Sequence, residues 1–255
     1  PLNGSLKIEE SRAVPGISAK LNTIAKIRGE YVIASKYDFW FLNADLSPKF
    51  HAAMDPWFSA NVLDLVGITA LDKDAYVLMG SNKSLLRVRQ NPEADDVQGW
   101  PNFTAGRSHI EAVGGLGRAR IDTERAKFSY IHSSATDGRY VFMATVPDNK
   151  NKKQFVISKA LMKDWMLSGE FVPTAEMLKK DRSLGELYVT GMVYEDGKLY
   201  AVSKNWNVLV VIDVAQEAVV EAWGLPEELT DIRGLVKDGS TFEVIDANRV
   251  VKLTM

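Results

Sequence analysis

The 255 residues are 46% hydrophobic and 25% charged, with a formal net charge of −2, a balance that gives a large core and no global basic field to recruit nucleic acid or an acidic membrane. The chain has no cysteine, which excludes disulfides, thiolate catalysis and cysteine-based zinc or iron–sulfur sites. No stretch approaches the roughly 20 apolar residues that cross a bilayer as a helix.

Pro1 stands where a methionine would open a newly made chain, and we expect a mature exported protein or a domain of a longer one. That means an extracytoplasmic or periplasmic location, with tethering to a membrane through a segment outside this chain. Ser5-Leu6-Lys7-Ile8-Glu9-Glu10 reads as a first strand. Five hydrophobic runs then follow, each beginning just after a turn, at Tyr31, Tyr76, Tyr140, Leu199 and Phe242. Their composition and length are those of strands.

The residues before these runs carry tight-turn chemistry. They read Arg28-Gly29-Glu30, Asp72-Lys73-Asp74-Ala75, Asp137-Gly138-Arg139, Asp196-Gly197-Lys198 and Asp238-Gly239-Ser240. Asp-Gly supplies the positive φ that two-residue hairpins demand, so each run is the second strand of a hairpin. First strands are clearest at Val66–Ala70, Thr190–Tyr194 and Arg233–Val236, each with a glycine at Gly67, Gly191 or Gly234. A glycine inside a strand marks close backbone approach, as where innermost strands crowd an axis. Third strands are expected at Phe39–Leu42, Leu85–Val88, Phe155–Ile157, Val208–Ile212 and Val250–Leu253, and a fourth at Ala218–Trp223.

Four strands per unit, repeated around an axis, make a β-propeller. Successive markers lie 45, 64, 59 and 43 residues apart, and closing from Phe242 through Met255 to Tyr31 adds 44. Five units therefore account for residues 1–255 as a single all-β domain, with a sixth blade hidden between Tyr76 and Tyr140 as the alternative. The N-terminal strand is expected to complete the last blade. Two departures from the repeat stand out. Residues 91–125 have loop chemistry, and residues 173–186 read as a short helix capped by Thr174 with Lys179, Lys180 and Arg182 near its end.

Function is sought in what fails to repeat. His132 lies eight residues before Tyr140, where other units place glycine, which points it towards the channel. Trp57 and Trp100, in turn-rich segments, would form an aromatic recognition surface if exposed on one face. Arg107 and His109 lie in the longer insertion and complete the candidate ligand-binding set. Gly114-Gly115-Leu116-Gly117-Arg118 fits no phosphate-loop spacing and reads as a flexible turn. Ser108-His109 lacks a partner acid for a hydrolase, Glu93, Asp95 and Asp96 lack the alternation of a calcium loop, and Lys150, Lys152 and Lys153 read as a solvated hairpin tip.

The Gly191 to Val202 pattern, a hydrophobic-Gly-hydrophobic strand, an Asp-Gly turn and Leu-Tyr-Ala-Val, resembles the repeats of NHL-type and related bacterial periplasmic propellers. Partial copies lie around Gly67 and Gly234. The same broad class includes gluconolactonase-like and strictosidine-synthase-like enzymes, of which the former hold a divalent cation in the channel with a glutamate, asparagines and an aspartate. This chain departs from that set, carrying Gly67, His132, Gly191 and Gly234 at the alignable positions. The expectation is a non-enzymatic binding module for a protein or small-molecule ligand, without a cofactor and without nucleic acid. The alternative is a hydrolase or lactonase-like enzyme with a channel-bound divalent cation such as calcium, held by Asp64, His132 and Asp231.

Overall fold

Tight turns define the hairpins. At Arg28-Gly29 and at Asp196-Gly197 both residues have positive φ, 53° and 81° in the first and 49° and 80° in the second. This is the geometry of a type I′ turn, whose twist matches that of the strands it joins. At Asp137 the turn is one residue longer, and the Asp137 carboxylate accepts the backbone N–H groups of Arg139 (2.8 Å) and Tyr140 (2.6 Å). The computed structural model describes residues 2–14, 16–17, 19–36, 38–54, 64–70, 75–89, 102–105, 110–115, 130–146, 155–163, 166–175, 187–203 and 205–255.

In chain order the strands are β1 (Gly4–Ser5), β2 (Lys7–Ala13), β3 (Thr23–Ile27), β4 (Glu30–Ala34), β5 (Asp38–Leu42), β6 (Pro48–Met54), β7 (Leu65–Ala70), β8 (Ala75–Gly80), β9 (Ser84–Arg89), β10 (Asn102–Ala105) and β11 (Ile110–Gly115). They continue as β12 (Ile131–Thr136), β13 (Tyr140–Thr145), β14 (Ile157–Leu161), β15 (Met166–Phe171), β16 (Gly191–Glu195), β17 (Lys198–Ser203), β18 (Val208–Asp213), β19 (Ala218–Gly224), β20 (Ile232–Asp238), β21 (Thr241–Asp246) and β22 (Arg249–Thr254). They form sheets in the orders β3-β4-β5-β6-β10, β7-β8-β9-β11, β12-β13-β14-β15, β16-β17-β18-β19-β1 and β20-β21-β22-β2. The first strand of each sheet touches its counterparts in a closed circuit: β3 with β7, β7 with β12, β12 with β16, β16 with β20, and β20 with β3. The fold is all-β and propeller-like, and no helix occurs among the described residues.

The marker residues of the repeat are packing residues between sheets. Leu199 joins Phe142, Phe155, Phe171 and Met192 in one cluster, Phe242 joins Leu6, Leu209 and Leu235 in the next, and Tyr31 joins Trp40, Val236 and Ile245 in a third. Phe242 is fully buried, and burying such a side chain contributes roughly 2–3 kcal/mol. Trp40, Trp206 and Trp223 also pack in or against these clusters.

Two expectations change. Within residues 91–125, read as loop, β10 pairs parallel with β6 and β11 antiparallel with β9, so the described part of that segment extends two existing sheets. Gly114 and Gly115, read as a flexible turn, lie in β11 beside a register shift after Ala112. Thr174, read as a helix cap, forms a parallel bridge with Ala218, its N–H donating to Glu217 O and its carbonyl accepting from Val219 N. Residues 176–186 of the expected helix lie outside the described residues.

The two chain ends meet in one sheet, where β2 pairs antiparallel with β22 from Lys7↔Thr254 to Ala13↔Arg249. A polar clasp reinforces the join. The buried Glu243 carboxylate of β21 accepts the Tyr31 hydroxyl of β4 (2.5 Å) and the Arg12 guanidinium of β2 (3.4 Å), with Lys26 Nζ of β3 at 3.8 Å. Burial, followed by the hydrogen bond to Glu243, pushes the Tyr31 phenol up to about 12.

Two predictions follow from packing and closure. A Cβ on Gly191 would lie 2.4 Å from the carbonyl carbon and oxygen of Gly234, whereas one on Gly67 would meet the Ser134 hydroxyl, which can rotate away. Urea unfolding should therefore show a loss of about 3 kcal/mol for Gly191→Ala and about 1 kcal/mol for Gly67→Ala; equal losses would contradict the backbone contact. For the clasp, the native state keeps the Tyr31 proton at pH values where the unfolded chain has released it. Its contribution is present below pH 10 and is lost as pH rises towards about 12, a decline that Tyr31→Phe should flatten. A double-mutant cycle of Tyr31→Phe with Glu243→Gln should give a coupling of about 1–2 kcal/mol.

Candidate functional site

The inner strands of a ring can share an axis only where their side chains are small. Register places Gly67 opposite Met79, Ser134 opposite Met143, Gly191 opposite Val202 and Thr23 opposite Ala34. These partners sit three residues after the markers Tyr76, Tyr140, Leu199 and Tyr31. The glycine level is therefore continued in β12 by Ser134, not by His132. Backbone contact is direct here: Gly234 has φ +70°, a Cβ on it would fall 2.5 Å from Ile24 N, and its own N–H donates to Thr190 O (2.8 Å).

His132 stands at a break in the β12 ladder. Ile131 pairs with Thr145 and Ser133 with Ala144, so two steps along β12 match one along β13. His132 is the extra residue of a bulge, and a bulge re-aims a side chain out of the ladder. Leu65 and Gly67 flank a similar shift in β7. The register across the turn is why counting residues from Tyr140 puts His132 at the glycine level: the facing residues Ser134 and Met143 are nine positions apart, whereas Gly191 and Val202 are eleven apart.

Around His132 stand the charges of Arg233 and Lys20, which disfavour its protonation, and of Asp64, which favours it. Burial is the largest influence and, with the two cations, holds the imidazole below its ordinary pKa of 6.5. Arg233 Nε donates to Asp231 Oδ1 at 3.0 Å, and Lys20 Nζ lies 4.0 Å from Asp231 Oδ2. The expected metal set Asp64, His132 and Asp231 thus gathers in part: Asp64 acts directly on His132, while Asp231 is engaged by Arg233 and Lys20. Among the described residues no group of three His, Cys, Asp or Glu side chains is arranged to hold a metal ion. Lys20 and Arg233 were missed by sequence reasoning. Arg233 stands directly before Gly234 in an inner strand, the one local signal that could have marked it. Trp57, Trp100, Arg107 and His109 lie outside the described residues.

A cavity of about 670 Å³ is lined by residues of β3, β7, β12, β16 and β20, from Thr23 and Ser134 at the small-residue level to Lys26, Thr69, Tyr194 and Lys237. None of His132, Asp64, Arg233 or Lys20 lines it. A second histidine, His51 of β6, stacks on Trp40 (centroids 5.1 Å apart) with Nε2 3.9 Å from Asp38 Oδ1. Burial lowers its pKa and Asp38 opposes that shift.

Both histidines titrate lower in the native than in the unfolded state, so below pH 6.5 the unfolded chain takes up protons that the native one refuses. Stability is full above that pH and declines as pH falls through the folded-state pKa values. The urea midpoint should be lower at pH 5.5 than at pH 7.5, and His132→Gln should remove part of the difference, leaving the part due to His51. An unchanged difference in that variant would contradict the burial of His132.

No protein-family model matches the chain, and no curated protein matches it. Among solved structures, the glutaminyl cyclase of Myxococcus xanthus superposes with a TM-score of 0.65 at 9% identity, covering 99% of this chain and 97% of that one. A luciferin-regenerating enzyme superposes with a TM-score of 0.54 at 11% identity, covering 96% and 95%. At such identities the likeness is one of fold. It supports a β-propeller without distinguishing the NHL-type repeat.

Proposed function

We propose that this chain is a small-molecule-binding propeller, its five sheets serving as five blades, with the ligand held on the axis at the mouth formed by His132, Asp64, Arg233 and Lys20. The observation that carries this reading is the bulge in β12 at His132, whose partly buried imidazole feels the charges of Asp64, Arg233 and Lys20. A neutral imidazole both donates and accepts a hydrogen bond. Arg233 and Lys20 add attraction for a negative or strongly polar ligand group, and Asp64 can orient the ring.

A second reading is an enzyme acting at the same mouth. The lowered proton affinity of His132 favours it, since a base must be neutral to accept a proton from a bound ligand. Both solved neighbours are named as enzymes, and cyclisation of a polar substrate, as the name glutaminyl cyclase implies, is a reaction a neutral base could assist. A metal-dependent form would need donors beyond His132 and Asp64, because Asp231 is already paired with Arg233 and Lys20.

Thermal melts of the purified protein against small carboxylic acids, amides and lactones test both readings. A ligand at about 100 times its Kd should add about 2.7 kcal/mol to stability. That gain should shrink in Arg233→Gln and His132→Ala; equal gains in wild type and both variants would sink the mouth as the binding site. Recovery of the ligand unchanged supports a binding module. Conversion by wild type, with binding but no conversion by His132→Ala, supports the enzyme.

A further inference from the structure

The cavity of about 670 Å³ has the size of a small-molecule site, roughly 300–1,000 Å³. The cations that line it are answered within the protein. Lys237 Nζ donates to Glu195 Oε1 at 2.7 Å and to Gly239 O at 2.6 Å, and Lys26 Nζ stands between Glu243 (3.8 Å) and Asp238 (4.0 Å). Arg28 Nη2 donates to the Tyr76 hydroxyl at 3.1 Å, and its guanidinium lies over the same ring. With these charges met by protein partners, the lining holds no counter-charge for an ion. A charged ligand would lose its hydration without gaining a partner, or would have to break one of these pairs.

Most of the lining is uncharged. Ala25, Ile68, Ala70 and Val193, from three inner strands, line the cavity and are only half-buried. Covering such apolar surface with an aliphatic ligand releases water and favours binding. Among the hydroxyls of the wall, Ser133 and Thr136 already donate to Val189 O (3.5 Å) and Tyr140 O (2.9 Å). Those of Thr69 and Ser134 have no protein hydrogen-bond partner among the described residues, although Thr69 is only 7% exposed. A hydroxyl so buried is costly to leave unpaired, and a ligand oxygen can supply the missing bond. Tyr194 adds an oriented donor. Its hydroxyl accepts the Gly197 N–H at 3.0 Å and keeps its own proton to give, and its ring is stacked on Phe142 with centroids 5.7 Å apart.

We propose that this cavity is a binding site for an uncharged small molecule with an aliphatic body and a hydroxyl or carbonyl oxygen, the body against Ala25, Ile68, Ala70 and Val193 and the oxygen at the hydroxyls of Thr69, Ser134 and Tyr194. The site is independent of His132 and the charges around it, none of which lines the cavity. Its wall comes from all five inner strands, so it forms only when the ring is closed.

Isothermal titration of the full chain with menthol, menthone, menthylammonium, menthanecarboxylate and glucose tests the proposal, since the first four share one aliphatic ring and differ in the polar group. Menthol or menthone should bind, the two ions should bind at least about tenfold more weakly, and glucose, which has no aliphatic body, should not bind. Binding of menthone alone assigns a carbonyl ligand, and of menthol alone a hydroxyl. Thr69→Val with Ser134→Ala should weaken binding about fivefold, the scale of one neutral hydrogen bond. Ala70→Phe and Val193→Phe, which fill the cavity, should each abolish it, and His132→Gln should leave every affinity unchanged. Thermal melts of each variant select those that are folded. The proposal is overturned if neither neutral probe gives heat at millimolar concentration, if either ion or glucose binds as well as they do, if a folded cavity-filling variant or the hydroxyl-free variant binds as wild type does, or if His132→Gln abolishes binding.

Discussion

Close packing of the inner strands about one axis is the constraint on which the rest of this structure depends. Backbones meet where Gly191 faces Gly234 and where Gly234 faces Thr23 and Ile24, at distances that leave no room for a Cβ. Glycine is a poor strand residue, because it gives up the most chain entropy and packs nothing. Here that cost is offset outside the axis. Each sheet buries aromatic and branched side chains against its neighbour, and these inter-sheet clusters supply the apolar area that the axis lacks. The charges around His132 stay apart from the cavity lined by Thr69, Ser134 and Lys237, so two chemically different environments are built on the same inner strands.

A ring of sheets must also hold its ends together, and here the first and last segments of the chain share a sheet. Glu243 shows what that junction requires. A buried carboxylate is expensive unless it is paired, and the hydroxyl and two cations around it come from β4, β2 and β3. Such a cluster is weak evidence of net stability, since an apolar core of equal volume could do as well. It is better evidence of register. Displacing β2 along β22 by one residue would carry Arg12 to the other face of the sheet and leave the carboxylate one partner short.

Much of the frame was legible because turn chemistry and marker residues are local. Asp196-Gly197 reports its own backbone geometry, and Leu199 and Phe242 are hydrophobic because they sit between sheets. Strand β12 was much harder to read: Ile-His-Ser-Ser-Ala-Thr has neither the branched content nor the clean alternation of a strand, and it is held by its neighbours β7 and β16. His132 drew notice as a departure from the repeat, yet its level was misjudged because the register across the Asp137 turn differs from that across Asp196-Gly197. Lys20 and Arg233 were invisible as partners of His132, being brought to it from about a hundred residues away on either side. Composition cannot show which charges a closed ring will bring together. The same applies to Lys26, Arg28 and Lys237, each ordinary on its own hairpin.

The binding and catalytic readings of the mouth differ in what His132 must do, and the surrounding charges bear on that difference. A group that only recognises an anion does so better when protonated, and Arg233 and Lys20 would then repel it. A group that accepts a proton does so better when neutral, and the same cations, together with burial, keep it so. Asp64 pulls the other way and would stabilise an imidazolium once formed. Burial and the two cations thus favour the proton-accepting reading of His132, and Asp64 opposes it.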